Sequence, residues 1–278
     1  MPAYLTHRAA GERVQEKLSA AVTHSKAFYL GCQGPDILFF RNYQPWRSSR
    51  DSLPLGIAMH GQKTKELLTH AFAFLKSYDK SDKDELASYI AGFLTHYTVD
   101  SSAHPFVYAK AAGNTNIHHL TESMWDSFIS KEQWGIEPAA FDIFSDVMSG
   151  ELAGGIEEWY LSAARDVYGI YLKEGAVAQA QAHLAKAKKA LSNLRLPHKA
   201  LIKILEWLSG LDLKTMIYPE SRNESLFSHD EYKGMQRMIE KGVEEAERLI
   251  LLLMEFINDG VDSLPSWLGG KNFAGETL

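Results

Sequence analysis

Apolar residues recur at spacings of three and four along most of this chain, and no run alternates with the period of two that a half-buried strand requires. The pattern predicts helices over about Ala9 to Ala20, Ser25 to Leu30, Met59 to Ser77, Lys83 to Ala103, Pro105 to Ala112 and Ile117 to Ser130. Further helices are expected over Ala139 to Met148, Gly154 to Tyr168, Ala176 to Leu194, His198 to Leu208 and Glu231 to Asn258. Ser81 and Asp82, ahead of Glu85, read as an N-cap with an acidic first turn, and the polar Asn114-Thr115-Asn116 reads as a turn. From Asp259 onward, glycines and Pro265 break the period, so the tail is expected to be irregular and frayed. The expectation is an all-α fold. No Pro-, Gly- or Ser-rich linker divides it, so residues 1–278 are read as a single helical domain.

One stretch breaks the apolar stripe in an informative way. His96-x3-Asp100-x3-His104 is followed by His118-x3-Glu122. Spacings of four place such groups on one helical face, with the chain free to turn at Pro105 and the Asn114-Thr115-Asn116 turn separating the two ligand-bearing helices. Paired helices projecting imidazoles and carboxylates form a cage for divalent cations. Two loops add to this: Gly34-Pro35-Asp36 is a turn presenting a carboxylate, and residues 41–50 form a polar connection carrying Arg41, Arg47 and Arg50. His60 is expected to open the helix after that connection.

Composition changes this picture little. Apolar residues make up 45% of the chain and charged residues 23%, which fits a folded globular protein and excludes a disordered one. A net charge of −6 gives no general attraction to nucleic acid, so no stable nucleic-acid complex is expected. The single Cys32 allows no internal disulfide. No apolar signal segment opens the chain and no run is long enough to span a bilayer, so a cytoplasmic location is expected. Eight of the eleven histidines lie within the first 119 residues, which places the chemistry in a core over about residues 1–140. Helices over about 140–258 are expected to pack on that core.

Zinc accepts exactly the donor types gathered here, His nitrogen and Asp or Glu oxygen, and catalytic zinc keeps one position for water. Bound water has its pKa lowered from about 15.7 toward ~7, which gives hydroxide near neutrality, and a metal pair can clamp both oxygens of a phosphodiester. Arg41, Arg47 and Arg50 are candidates to neutralise a phosphate or anionic head group, beside the plain reading of a solvated loop. His119 adjoins His118, but the four-residue spacing to Glu122 favours His118 as the ligand.

Taken in order, His7, Gly34-Pro35-Asp36, His60, His96-x3-Asp100, His104 and His118-x3-Glu122 resemble the bacterial zinc-dependent phospholipase C family, a relative of single-strand-specific zinc nucleases. The resemblance implies a multi-helix bundle around a cluster of up to three zinc ions. It implies one zinc held by Asp36, His60, His96 and Asp100, and a second held by His104, His118 and Glu122. Asp100 would bridge toward a third ion that His7 also ligates, and Asp36 would assist the attacking water. Secreted members use the amino group of an N-terminal Trp on that third ion, whereas this chain begins Met1-Pro2-Ala3. Two zinc ions are therefore expected without dependence on that group. The step from Asp100 to His104 is similar to that of the glycosylphosphatidylinositol-specific phospholipase D branch.

The expected function is a metal-dependent phosphodiester hydrolase of phospholipase C type acting on a phospholipid or a small phosphodiester. Two alternatives stand beside it. One is a helical di-iron oxygen-binding or redox protein, against which the ligand region offers no Glu-x-x-His pair. The other is a non-catalytic, metal-stabilised helical module.

Overall fold

A computed structural model of the protein describes residues 4–42, 51–142, 152–192, 227–261 and 263–278. Among these the chain forms α1 (Tyr4–Lys17), α2 (Ser25–Gly31), α3 (Leu53–Gly61), α4 (Thr64–Ser77), α5 (Lys83–Ala111), α6 (Thr115–Ile129), α7 (Gly154–Asp166), α8 (Ala176–Ser192) and α9 (His229–Ile257). A 3-10 segment spans Gly34–Phe40, and the described residues contain no strand beyond one isolated bridge between Lys271 and Thr277. The expected all-α fold is what the chain adopts. The helix expected over His198 to Leu208 lies outside the described residues, as does most of the one over Ala139 to Met148. A short 3-10 turn at Pro138–Ala140 stands at the start of the latter.

Helix α5 is the axis of the molecule. It is buried almost continuously from Leu86 to Ser101, on every side rather than along one stripe, as a core helix must be. Helices α1, α2, α6, α7 and α9 all pack against it. The α2–α5 crossing is close because it is made by Gly31 and Gly92. A Cβ on Gly92 would fall 2.0 Å from the Phe28 carbonyl oxygen, and one on Gly31 would fall 2.1 Å from that of Tyr89. This backbone-to-backbone contact delivers the Gly34-Pro35-Asp36 turn to the middle of α5.

Four expectations are corrected. The break expected at Pro105 is absent: α5 runs through it as one helix, and the turn into α6 comes at the left-handed Ala112 and Gly113, just ahead of the polar Asn114 that caps α6. Proline removes one internal hydrogen bond, at a cost of about 3 kcal/mol, and the burial of this helix outweighs that. His60 closes α3 rather than opening the next helix, because Lys63 at φ +52 separates α3 from α4. The first helix begins at Tyr4, not Ala9, and so carries His7. Finally, the tail is irregular but not frayed, since Leu268, Asn272 and Phe273 are buried in it. Helix α9 begins two residues before the expected position, where Ser228 and Glu231 form a reciprocal capping box.

Candidate metal centre

Five segments converge on one partly buried spot. Helix α5 supplies His96, Asp100 and His104 on a single face; α1 supplies His7; the 3-10 turn supplies Asp36; the last turn of α3 supplies His60; and α6 supplies His118 and Glu122. Three sets of donor atoms each lie within 4.8 Å of one another: His7, His96 and Asp100; Asp36, His60 and His96; and His104, His118 and Glu122. Every one of the eight expected ligands falls in at least one set.

Asp100 stands at the centre. Its Oδ1 lies 3.1 Å from His7 Nε2, while its Oδ2 lies 3.2 Å from His96 Nε2 and 4.0 Å from His60 Nε2. His60 Nε2 is also 2.9 Å from Asp36 Oδ1. In the third set, Glu122 Oε1 is 3.0 Å from His118 Nε2 and 3.6 Å from His104 Nε2. Donors about 2.0–2.2 Å from a tetrahedral zinc stand roughly 3.3 Å apart, so these separations match a shared cation.

The hydrogen bonds made by the other ring nitrogens test the fit. His60, His96 and His104 each turn Nδ1 toward a backbone carbonyl, those of Gly56 (2.7 Å), Cys32 (3.1 Å) and Phe273 (2.8 Å). A proton on Nδ1 leaves Nε2 as the nitrogen facing the carboxylates, which is how outer-shell partners orient a metal-binding imidazole. Two acceptors face each other across such a gap favourably only with a proton or a cation between them. His96 Nε2, Asp36 Oδ1 and Glu122 Oε2 are moreover buried with no aligned hydrogen-bond partner. The residues present fit zinc. His96 Nε2 is common to two of the sets, and one lone pair serves one ion, so a third ion would draw on His7 and Asp100 alone among the described residues.

The electrostatics follow from the same crowding. Burial pushes Asp100 up, but His104, His96 and His7 outweigh it and hold its carboxyl well below the usual range. Glu122 behaves alike: burial raises it, and His104, His118 and His119 carry it well below. Burial lowers His104, yet Asp100 and Glu122 raise it overall to about 10.

Further residues support the centre, and of these Gly34 in its contact with His96 and Tyr160 were not legible in the pattern. Gly34 adopts φ +51, and a Cβ there would sit 2.2 Å from His96 Cδ2, so only glycine admits the ring. Tyr160 of α7, fully buried, donates to the Gly34 carbonyl at 3.0 Å and meets Tyr89 hydroxyl to hydroxyl at 2.8 Å. Asp126 accepts from both the backbone N–H and the hydroxyl of Thr6, each at 2.8 Å, and so holds the residue before His7. His119 Nδ1 lies 3.8 Å from Glu122 Oε2, on the opposite oxygen from His118.

Arg41 is placed differently from the expectation of a phosphate-facing side chain. It is buried, paired with Asp51 and bonded to Gln179 at 3.2 Å, which ties the 3-10 turn to α8. Arg47 and Arg50 lie outside the described residues. Three exposed apolar side chains adjoin candidate ligands: Ile57 lies one turn before His60 in sequence, the Tyr108 ring centroid is 5.2 Å from those of both His104 and His118, and Ile117 is next to His118 in sequence.

The fold and site define an all-helical protein with buried histidine–carboxylate groups suited to divalent cations. The family model for zinc-dependent phospholipase C matches residues 1–176, more than half of the chain, and the chain belongs to that family. No curated protein and no solved structure matches it. Among the described residues, no helix is long and apolar enough to cross a membrane.

Proposed function

We propose that this chain is an active hydrolase that cleaves a phospholipid phosphodiester on the glycerol side, releasing diacylglycerol and the phosphorylated head group. The observation that carries the reading is the convergence of eight donor side chains into one partly buried cluster around Asp100, with Asp36 and His60 on its more accessible side. Zinc held there supplies a Lewis acid for the phosphoryl oxygens and lowers the pKa of water toward ~7.

The chain's own residues do the rest. Asp36 is partly exposed where Asp100 and Glu122 are buried, which favours it as the carboxylate that takes the proton from the attacking water. Asp100 holds its two oxygens toward different histidines and so fixes the spacing of the groups. Tyr108 remains a neutral hydroxyl at physiological pH, because burial and then the carboxylates of Asp100 and Glu122 raise it, and it can donate to a phosphoryl oxygen. The exposed Ile57, Tyr108 and Ile117 beside the cluster favour an amphiphilic substrate over a small polar diester.

The test is metal content by mass spectrometry on protein purified without a metal-affinity column, followed by assay on phospholipid vesicles. Two zinc ions per chain with release of a phosphorylated head group is the expected result. Zinc without turnover on any phosphodiester would leave a metal-stabilised module, and two irons would overturn the hydrolase reading.

A further inference from the structure

The carboxy-terminal residues 270–278, beyond the segment matched by the family model, reach into the metal centre. Phe273 is fully buried there, and its backbone is bonded on both sides to the cluster. Its N–H donates to the His60 carbonyl at 3.3 Å, and its carbonyl accepts from His104 Nδ1 at 2.8 Å. Its ring centroid lies 5.2 Å from that of His60 and 5.9 Å from that of His96, with Tyr97 at 5.1 Å on another side. One residue thus touches histidines from both the Asp36 set and the Glu122 set.

The segment is shaped for this position. Asn272 N–H bonds the Glu276 carbonyl at 2.9 Å, Gly275 N–H bonds the Asn272 carbonyl at 3.0 Å, and the two side chains of Asn272 and Glu276 meet at 2.7 Å, so the loop closes on itself. The Tyr97 hydroxyl pins it by donating to the Lys271 carbonyl at 2.9 Å. It docks where Pro105, having no N–H, cannot return a helical bond to Ser101. Gly275, at φ +79, lies so close that a Cβ would fall 2.5 Å from the Ser101 carbonyl oxygen and 2.6 Å from Pro105 Cγ. The helix-interior proline and the glycine of the tail are two halves of one contact.

We propose that residues 270–278 are a positioning element of the metal centre, with Phe273 its key residue. The Phe273 carbonyl keeps a proton on His104 Nδ1 and so turns His104 Nε2 toward Glu122, while its N–H holds the end of α3 that carries His60. Loss of an outer-shell partner of this kind lowers metal affinity by about 10- to 100-fold. The inference rests on the metal reading above for its affinity readout, but its ring-proton readout does not.

Three variants of the full chain test it: truncation after Gly269, Gly275→Val, and the conservative Phe273→Leu. The first readout is the His104 ring Nδ1–H signal in nitrogen-correlated NMR, with and without zinc. A proton bonded to a buried carbonyl exchanges slowly and is visible; one released to solvent is not. The second readout is zinc affinity by competition with a chromophoric chelator. The intact chain and Phe273→Leu should show the ring proton, and truncation and Gly275→Val should lose it and bind one zinc about 10- to 100-fold more weakly, with helix content unchanged. Should truncation unfold the chain, Gly275→Val decides, since it leaves every other residue in place. An unchanged His104 ring proton in Gly275→Val overturns the proposal. An intact chain that shows the ring proton but takes up no zinc overturns the metal reading instead.

Discussion

Gly34 lies against the His96 ring so closely that a single added methyl would sit 2.2 Å from Cδ2. The imidazole cannot retreat, because it is fully buried on the central helix and its Nδ1 is held by the Cys32 carbonyl. Gly34→Ala should therefore destabilise the protein by about 1–3 kcal/mol through overpacking, with an added penalty from the left-handed backbone. Zinc bound through Asp36, His60 and His96 should be lost before zinc bound through His104, His118 and Glu122. Urea unfolding and a two-step zinc titration check this; equal loss from both groups would contradict it.

Asp100 and Asp36 should separate when each is made an amide. Asp100 is buried and shared among His7, His96 and His60, so Asp100→Asn should lower bound metal and activity together. Asp36 contacts His60 at the more accessible side, and its proposed task is proton transfer. Asp36→Asn should reduce turnover by about 10²–10⁴-fold, the range of a positioned general base, with a smaller change in metal content. Metal stoichiometry and kcat measured on the same preparations decide it, and normal hydrolysis by Asp100→Asn would sink the assignment.

The shared face of the candidate ligands was readable in the sequence because helical spacing of four is a local property: His96, Asp100 and His104 need only α5 to share a face. The paths between helices were not. Pro105 reads locally as a stop, and only the burial of α5 and the docking of Gly275 against Ser101 explain why the helix continues. His60 was visible as a candidate ligand but not as the end of α3, since the helical pattern read from Met59 runs on to Ser77 and the break is a left-handed lysine. Phe273 left no trace in any period: an aromatic in a glycine-rich tail acts through its backbone, which composition cannot express. Arg41 shows the reverse, a charge in a polar run that folding turns inward onto Asp51.

Metal should replace a proton at His104. In the metal-free protein its pKa is raised from an ordinary ~6.5 to about 10, because Asp100 and Glu122 outweigh burial. The stabilisation from that charge is fully present below about pH 6.5 and is lost as pH rises through about 10. Asp100 and Glu122 have the opposite sign: they stabilise above their ordinary range and cease to do so as pH falls through their depressed values. Zinc uptake at pH 8 must therefore expel the His104 proton, about one per chain from this group. Calorimetric titration in two buffers of different ionisation enthalpy measures it. Chelated protein should lose melting temperature between pH 8 and 10, whereas zinc-loaded protein should not. Zinc binding without proton release would mean that His104 is not a ligand.

The apolar side chains around the cluster make the substrate class testable without altering a ligand. Ile57 is 58% exposed on the helix that carries His60, and Ile117 is 40% exposed beside His118. Neither is needed for the core, and their exposure is explained if they meet the acyl or glycerol part of an aggregated lipid. Fully burying such a side chain is worth about 1.5–3 kcal/mol, so partial burial of one corresponds to roughly a tenfold effect. Ile57→Asp and Ile117→Asp should each lower kcat/KM on phospholipid vesicles by about tenfold while leaving zinc content unchanged. The same variants should turn over a soluble, short-chain phosphodiester at the rate of the unaltered protein. An equal fall on both substrates would place these residues in the packing of α3 and α6, and no fall on either would mean that the rim does not meet lipid and that a water-soluble diester is the better candidate.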